Sequence, residues 1–423
     1  MSDTELAGRT PLQERLILLV LATVQFTAIV DFMVIMPLEP ELKRTIGLTP
    51  VRFAAVVSAY TFAAGLAGLV STLVLDRFAR RPTFLVLFAG FMLGTLACGL
   101  APDYGMLLAA RCLTGVFGGL LGGMAMTIIG DVFPEERRGA ATGTLMSAFA
   151  LASVVGVPIG LTLGQRFGWH TPFLILAGLC FPFFFMAAKV LPRLDGHLKN
   201  HKLEPAGDRL REIFLHSNHL RAFALTSALM FSGFSVIPFL TPYLVSNVGL
   251  AEKSIFWPYV AGGLVSLVGM PIIGRLADKF GKLQVYRIII PANAALLLMM
   301  TCLPQGLSLP LILVAVAATM LSNAGRMVPA MAMITGSVEP RLRGGFMGAN
   351  SAVQHIAAGI GTSVAGIIIT QPKGGGPLDH FPTVGVIAAL TSLSTLWLAG
   401  RLRSGAPAKA KEVLEPAGVA EFA

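Results

Sequence analysis

The chain has 423 residues, 55% of them hydrophobic and 13% charged, about half the charged share of an ordinary soluble domain. That balance excludes a soluble fold. The formal net charge of +10 raises nucleic acid as a partner, but its distribution along the chain argues against it.

Apolar runs long enough to cross about 30 Å of hydrocarbon as a helix fall at approximately 16–37, 52–75, 82–101, 105–130, 140–164, 171–191, 219–246, 254–276, 285–304, 308–335, 344–370 and 381–400. Residues 1–15 mix acids and bases, and the next apolar stretch has no small-x-small cleavage site, so no cleavable signal is expected. Cys98, Cys112, Cys180 and Cys302 all lie within these runs without CxxC spacing. A disulfide framework or a metal site is therefore not expected, nor is any cofactor.

Lys and Arg sort by side. Connections on the side of the termini hold 24 of them and those on the other side hold 6. Arg111 and Arg326 lie inside spans. Excess Lys and Arg marks the cytoplasmic face, so both termini are expected inside a multi-pass protein of the cell (inner) membrane. The charge orients the chain and meets anionic lipid; no nucleic acid is expected.

The longest polar connection, 192–218, follows span six, and its second part (RLREIFLHSNHLR) reads equally as a surface helix or a solvated linker. The chain divides there into six spans at 1–191 and six at 219–401, with a tail at 402–423. A motif repeats across that divide. LDRFARR at 75–81 lines up with ADKFGKL at 277–283, and FPEERRG at 133–139 with VEPRLRGG at 338–345. Repeated six-helix units are a plan of secondary transporters, with the substrate at the interface of the repeats.

These residues resemble the major facilitator superfamily, whose signature between spans two and three has the form GxxxDRxGRR. Asp76, Arg77, Arg80 and Arg81 match it, while Thr72 and Ala79 replace the glycines; the second copy keeps them as Gly274 and Gly281, with Asp278, Lys279 and Lys282. The resemblance implies an all-α membrane fold of twelve helices in two pseudo-symmetric six-helix bundles. It also implies that this charge cluster acts as a conformational latch on the cytoplasmic face. A bare orientation signal would require neither Asp76 nor Asp278.

An ionisable residue within a span is a functional hypothesis by default. Asp31 in span one lies about 22 Å from the cytoplasmic start and Arg111 in span four about 9 Å from the opposite side. These depths coincide in a slab of about 30 Å, so the two can pair if their helices are neighbours. Proton-driven exporters of the superfamily carry an arginine in span four with a glycine four residues on, here Arg111 and Gly115. Asp31, Arg111 and the titratable His355 are the proton-coupling candidates, against a static ion pair and a structural histidine. Arg326 meets an anionic substrate group, caps a broken helix, or reaches the interface along its stem. Gly156, Pro158 and Gly160 in span five permit close approach and a kink, and partly resemble the superfamily's antiporter motif.

Stretches such as DFMVIMPLEPEL, ARCLTGVFGG and GRMVPAMAMITG are similar to the twelve-span bacterial sugar- and drug-efflux branch, loosely the arabinose-efflux-permease group. The expectation is a proton-coupled antiporter exporting a small molecule by alternating access, working as a monomer. Its cavity candidates are Gln25, Phe231, Phe234, Tyr243, Asn323, Arg326, Asn350 and Gln354. The alternative is proton-coupled uptake of a sugar or organic acid. A membrane enzyme lacks support, because the chain has no GxSxG, no HExxH and no paired carboxylates within a span. A sensor would need an output domain, and the tails are short.

Overall fold

The structure, a computed structural model, describes residues 11–74, 77–192, 194, 206–339, 341–372 and 376–403. Among them are twelve helices long and apolar enough to cross a membrane. The first six are Leu12–Val34, Pro50–Ser71, Arg80–Gly99, Tyr104–Val132, Arg137–Phe167 and Thr171–Val190; the last six are Ser217–Val248, Glu252–Phe280, Lys282–Thr301, Leu309–Gly336, Arg343–Ile368 and Phe381–Gly400. They are numbered as spans one to twelve. Each matches an apolar run of the sequence to within several residues.

Their side chains are arranged as a lipid solvent requires. Large apolar residues such as Ile288, Val314, Ile367 and Trp397 face outward, where in water they would be turned in. Helices in lipid associate through packing and polar contacts, and three buried clusters carry that packing here. One lies within the first bundle around Phe84, Phe88, Phe91 and Ile128. Another lies within the second, around Phe223, Tyr286, Ile334 and Phe346. The third mixes both bundles at the end remote from the termini, joining Val34, Phe53 and Trp169 to Phe239, Tyr243 and Phe381.

Polar contacts close the same remote end. Lys43 Nζ, in a short helix Glu39–Ile46 after span one, donates to Gln371 Oε1 beyond span eleven at 2.7 Å. Arg44 pairs with Glu252 at 3.0 Å, and Gln165 Nε2 donates to the Glu252 carbonyl at 2.9 Å. All three join the first bundle to the second.

The two copies of the loop motif differ in backbone. Gly281, between spans eight and nine, has φ +94°, a conformation that glycine adopts without steric cost. Its counterpart Ala79 is extended at φ −63°, which any residue accepts. The first loop thus does without the glycine by taking another turn. Within 192–218 a helix forms at Ala206–Leu215, and Ile213 sinks into the second bundle's core while Phe214 lies 5.6 Å from Phe223. It docks on protein through these residues.

Candidate functional site

Span one runs unbroken to Val34 and carries Asp31 into the first bundle, facing spans three and four. Asp31 and Arg111 are both wholly buried, and Arg111 Nη1 donates to Asp31 Oδ2 at 2.8 Å and to the Asp31 carbonyl at 3.2 Å. Thr95 Oγ1 of span three donates to the other carboxylate oxygen, Oδ1, at 3.1 Å. The guanidinium lies over the ring of Tyr60 at 4.7 Å, a cation–π contact that strengthens with desolvation. A carboxylate with a donor on each oxygen, against a guanidinium it partly neutralises, is how a charge survives in a low dielectric. Among the described residues Arg111 Nε and Nη2 nevertheless make no hydrogen bond, so the pair is held without being saturated.

Sequence reasoning missed Thr95 and Tyr60. Each is a polar residue inside an apolar run, the only signal available for them. The pair reaches the second bundle through rings: Phe32, next to Asp31, lies 5.0 Å from Tyr60 and 5.9 Å from Phe234 of span seven.

The other expected residues are dispersed. Gln25 is half-buried beside Gly122, its Oε1 without a partner. Asn350 Oδ1 accepts from Thr226 at 2.8 Å, leaving Nδ2 unbonded. Gln354 Nε2 makes a long contact, 3.9 Å, to Met331 Sδ. His355 is half-buried, with no hydrogen bond or ion pair to a described residue, and is not among the groups touching Asp31 and Arg111. Phe231 lines an apolar groove of about 440 Å³ with Val353, Ile356 and Ile360. Tyr243 is engaged within the second bundle, donating to the Leu303 carbonyl at 3.0 Å with its ring 4.7 Å from Phe381.

Arg326 does not reach the interface along its stem: it is 2% exposed. Nη1 donates to Ser232 and Asn293 at 2.8 Å each and to Ser392 at 3.0 Å, while Nη2 donates to the Leu229 carbonyl at 3.0 Å. Span ten breaks at this residue, between helices Leu309–Gly325 and Met327–Gly336. Pro329, four residues after Gly325, has no N–H to continue the ladder.

Of the latch residues, Asp76 lies outside the described residues. Arg80 pairs with Asp131 of span four at 3.5 Å, and its backbone N–H donates to the Leu194 carbonyl at 3.1 Å. Arg81 donates to the Ala188 carbonyl of span six. These contacts lie within the first bundle. Arg77 is exposed, as are Asp278, Lys279 and Lys282, and Lys279 Nζ lies 5.3 Å from the Phe280 ring.

Span five carries a π-helical turn at Ala152–Gly156, two residues before Pro158, whose missing N–H frees the preceding backbone to widen. Gly156 and Gly160 then bring it against span one: an added Cβ would come within 2.2 Å of Val30 and 2.6 Å of Val34. Side-chain and helix contact of this kind depends on glycine. Among the described residues no group of three His, Cys, Asp or Glu is placed to hold a metal ion.

Among the described residues, twelve helices long and apolar enough to cross a membrane, packed in two bundles with charges buried inside each, are the build of a secondary transporter. The family model of the Major Facilitator Superfamily matches residues 21–317 and 222–422, and the chain belongs to that family. It is 25% identical over 389 residues, covering 92% of this chain and 98% of the relative, to an uncharacterized MFS-type transporter, YceJ, of Bacillus subtilis. The inner membrane transport protein YdhP of Escherichia coli is 32% identical over 144 residues, 34% of this chain and 37% of that protein. A bacterial homolog of the human lysosomal transporter Spinster, solved in an inward-facing and unoccupied conformation, shares the fold at a TM-score of 0.67 and 16% identity, covering 93% and 96% of the two chains.

Proposed function

We propose that this transporter is a proton-coupled antiporter that exports a small molecule by alternating access, set in the inner membrane with both termini cytoplasmic. The observation that carries the reading is the Asp31–Arg111 pair, wholly buried at 2.8 Å. Removing the charge on Asp31 by protonation cancels the attraction that offsets Arg111's desolvation, so the two protonation states favour different surroundings. Phe32 follows Asp31 and touches Phe234 across the bundle interface. A small shift of span one at Asp31 is thereby felt where the bundles must part.

In this reading the structure represents the state closed at the outer face by Lys43–Gln371 and Arg44–Glu252. The bonds of Arg80 and Arg81 within their own bundle then belong to the latch in its released form. Span five, drawn onto span one by Gly156 and Gly160, keeps the cavity from leaking along Asp31.

The test uses everted membrane vesicles containing the full chain, energised by respiration, with ΔpH followed as sugars, nucleosides, carboxylates and antibiotics are added singly. Proton release on adding a compound, lost in Asp31→Asn, is the expected result. Release that survives Asp31→Asn keeps the exporter and moves coupling elsewhere, with His355 the next residue to change. Proton uptake with inward movement of the compound would replace antiport by symport.

A further inference from the structure

The second bundle buries a cation of its own, and among the described residues no carboxylate pairs with it. Among the described residues the acceptors around the Arg326 guanidinium, on Ser232, Asn293, Ser392 and Leu229, are neutral, and its Nε–H makes no hydrogen bond. Dipoles recover only part of the cost of a charge in a low dielectric. Arg111 in the first bundle has Asp31; among the described residues Arg326 forms no ion pair.

A second unmet demand lies one turn away. Asn323 is 7% exposed, yet among the described residues neither its amide nitrogen nor its oxygen has a hydrogen-bond partner. Buried side-chain amides are nearly always bonded, so such a group needs an explanation. Both residues converge on one place. A Cβ added to Gly233 of span seven would lie 3.0 Å from Arg326 Nη2 and 3.3 Å from Asn323 Oδ1. Arg326 and Asn323 can both close on span seven at that level because position 233 has no side chain. It lies at the break in span ten, and interrupted helices form substrate sites in secondary transporters. Phe234, next to Gly233, continues into the ring contacts with Phe32 and Tyr60 that end over Arg111.

We propose that Arg326 and Asn323 form an anion subsite that receives the carboxylate of the transported molecule. Arg326 Nε–H and Asn323 Nδ2–H supply two donors for its two oxygens, and Asn323 Oδ1 takes a hydroxyl or a water. One guanidinium balances one negative charge, so the cargo is a monoanion. Phe234 and Phe32 meet its apolar body. Designating that ligand as cargo rests on the transporter reading above; the subsite itself does not.

The test is thermal unfolding of the full chain in lipid nanodiscs at neutral pH and fixed ionic strength. Acetate, benzoate and 2-naphthoate are titrated against their primary amides. The carboxylates should raise the unfolding midpoint saturably, more strongly as the apolar body grows, while the amides should leave it unchanged. Asn323→Ala removes no hydrogen bond to a described residue and should fold. It should weaken the half-maximal concentration about tenfold or more, the effect of one charge-assisted bond. Gly233→Ala, whose methyl would press on both Arg326 and Asn323, should abolish the response. Equal responses to acid and amide, no response to any carboxylate, or a wild-type titration in Asn323→Ala would each overturn the subsite. Carboxylate binding without proton-coupled export would overturn the antiport reading alone, and export of neutral compounds without carboxylate binding would overturn the subsite alone.

Discussion

Arg111 holds Asp31 by two bonds of different kinds, one to the carboxylate at 2.8 Å and one to the backbone carbonyl at 3.2 Å. Only the first depends on the charge of Asp31. Protonation would therefore loosen the contact without detaching span four from span one, as the proposed coupling role requires of a site that must return to its starting geometry.

Breaking the pair from one side leaves an uncompensated buried charge. Asp31→Ala should cost about 3–5 kcal/mol of stability, whereas Asp31→Ala with Arg111→Leu should recover most of that loss. Unfolding midpoints of the two variants in nanodiscs check this. A double variant no more stable than the single one would show that the pair is not the dominant partner of either residue.

Thr95 acts on the same carboxylate through one neutral donor. Thr95→Val should destabilise by about 1–3 kcal/mol, because Asp31 Oδ1 is left without a donor. In the Asp31→Ala background the same change should be nearly silent. A double-mutant cycle measures the difference, and additive costs would place Thr95's contribution elsewhere.

Gly156→Ala sets a methyl 2.2 Å from Val30 Cγ2. Helix propensity favours alanine by up to about 1 kcal/mol, but overpacking costs about 1–3 kcal/mol, so the net effect should be a loss. Val30→Ala should relieve it. Failure of Val30→Ala to raise the Gly156→Ala unfolding midpoint would mean that span five meets span one less closely than this.

Glu39, just beyond span one, is 5% exposed at the junction of the bundles. Burial pushes its carboxyl from 4.5 up to about 7, with Glu252 adding to the rise and Lys43 opposing it. Below pH 4.5 the group is protonated whether the chain is folded or not. Between 4.5 and about 7 the folded chain keeps a proton that the unfolded chain has released, so stability falls as pH rises through that window, by up to about 3 kcal/mol. The unfolding midpoint followed from pH 4 to pH 8 (about one reading per half unit across the titration of a carboxyl) should decline in the wild type and decline less in Glu39→Gln. Parallel curves would exclude Glu39 as the source.

The spans, the repeat about the linker and the in-span charges were legible because each is written locally. A run of apolar residues, a recurring LDRFARR and ADKFGKL, or an Asp among valines can be seen without any neighbour. Asp31 and Arg111 were legible as a pair only because helix rise converts position into depth. The same reasoning left Arg326 open between three roles, and one of these, reaching the interface, is excluded by a cage drawn from Leu229, Ser232, Asn293 and Ser392. Those groups come from spans seven, nine and twelve, and nothing near Arg326 in the chain announces them. Glu39 reads as a loop acid, yet packing buries it.

The sequence by itself determined that this is a twelve-span membrane protein of repeated halves, and how deep each buried charge sits. The tertiary structure alone decided which charges meet. It gave Asp31 an arginine, a threonine and, through that arginine, a tyrosine face, and it left Arg326 among neutral acceptors. Hydropathy and helix rise fix one coordinate, the position along the membrane normal. The rotation of each helix and the identity of its neighbours follow from side-chain shapes meeting across spans far apart in the chain.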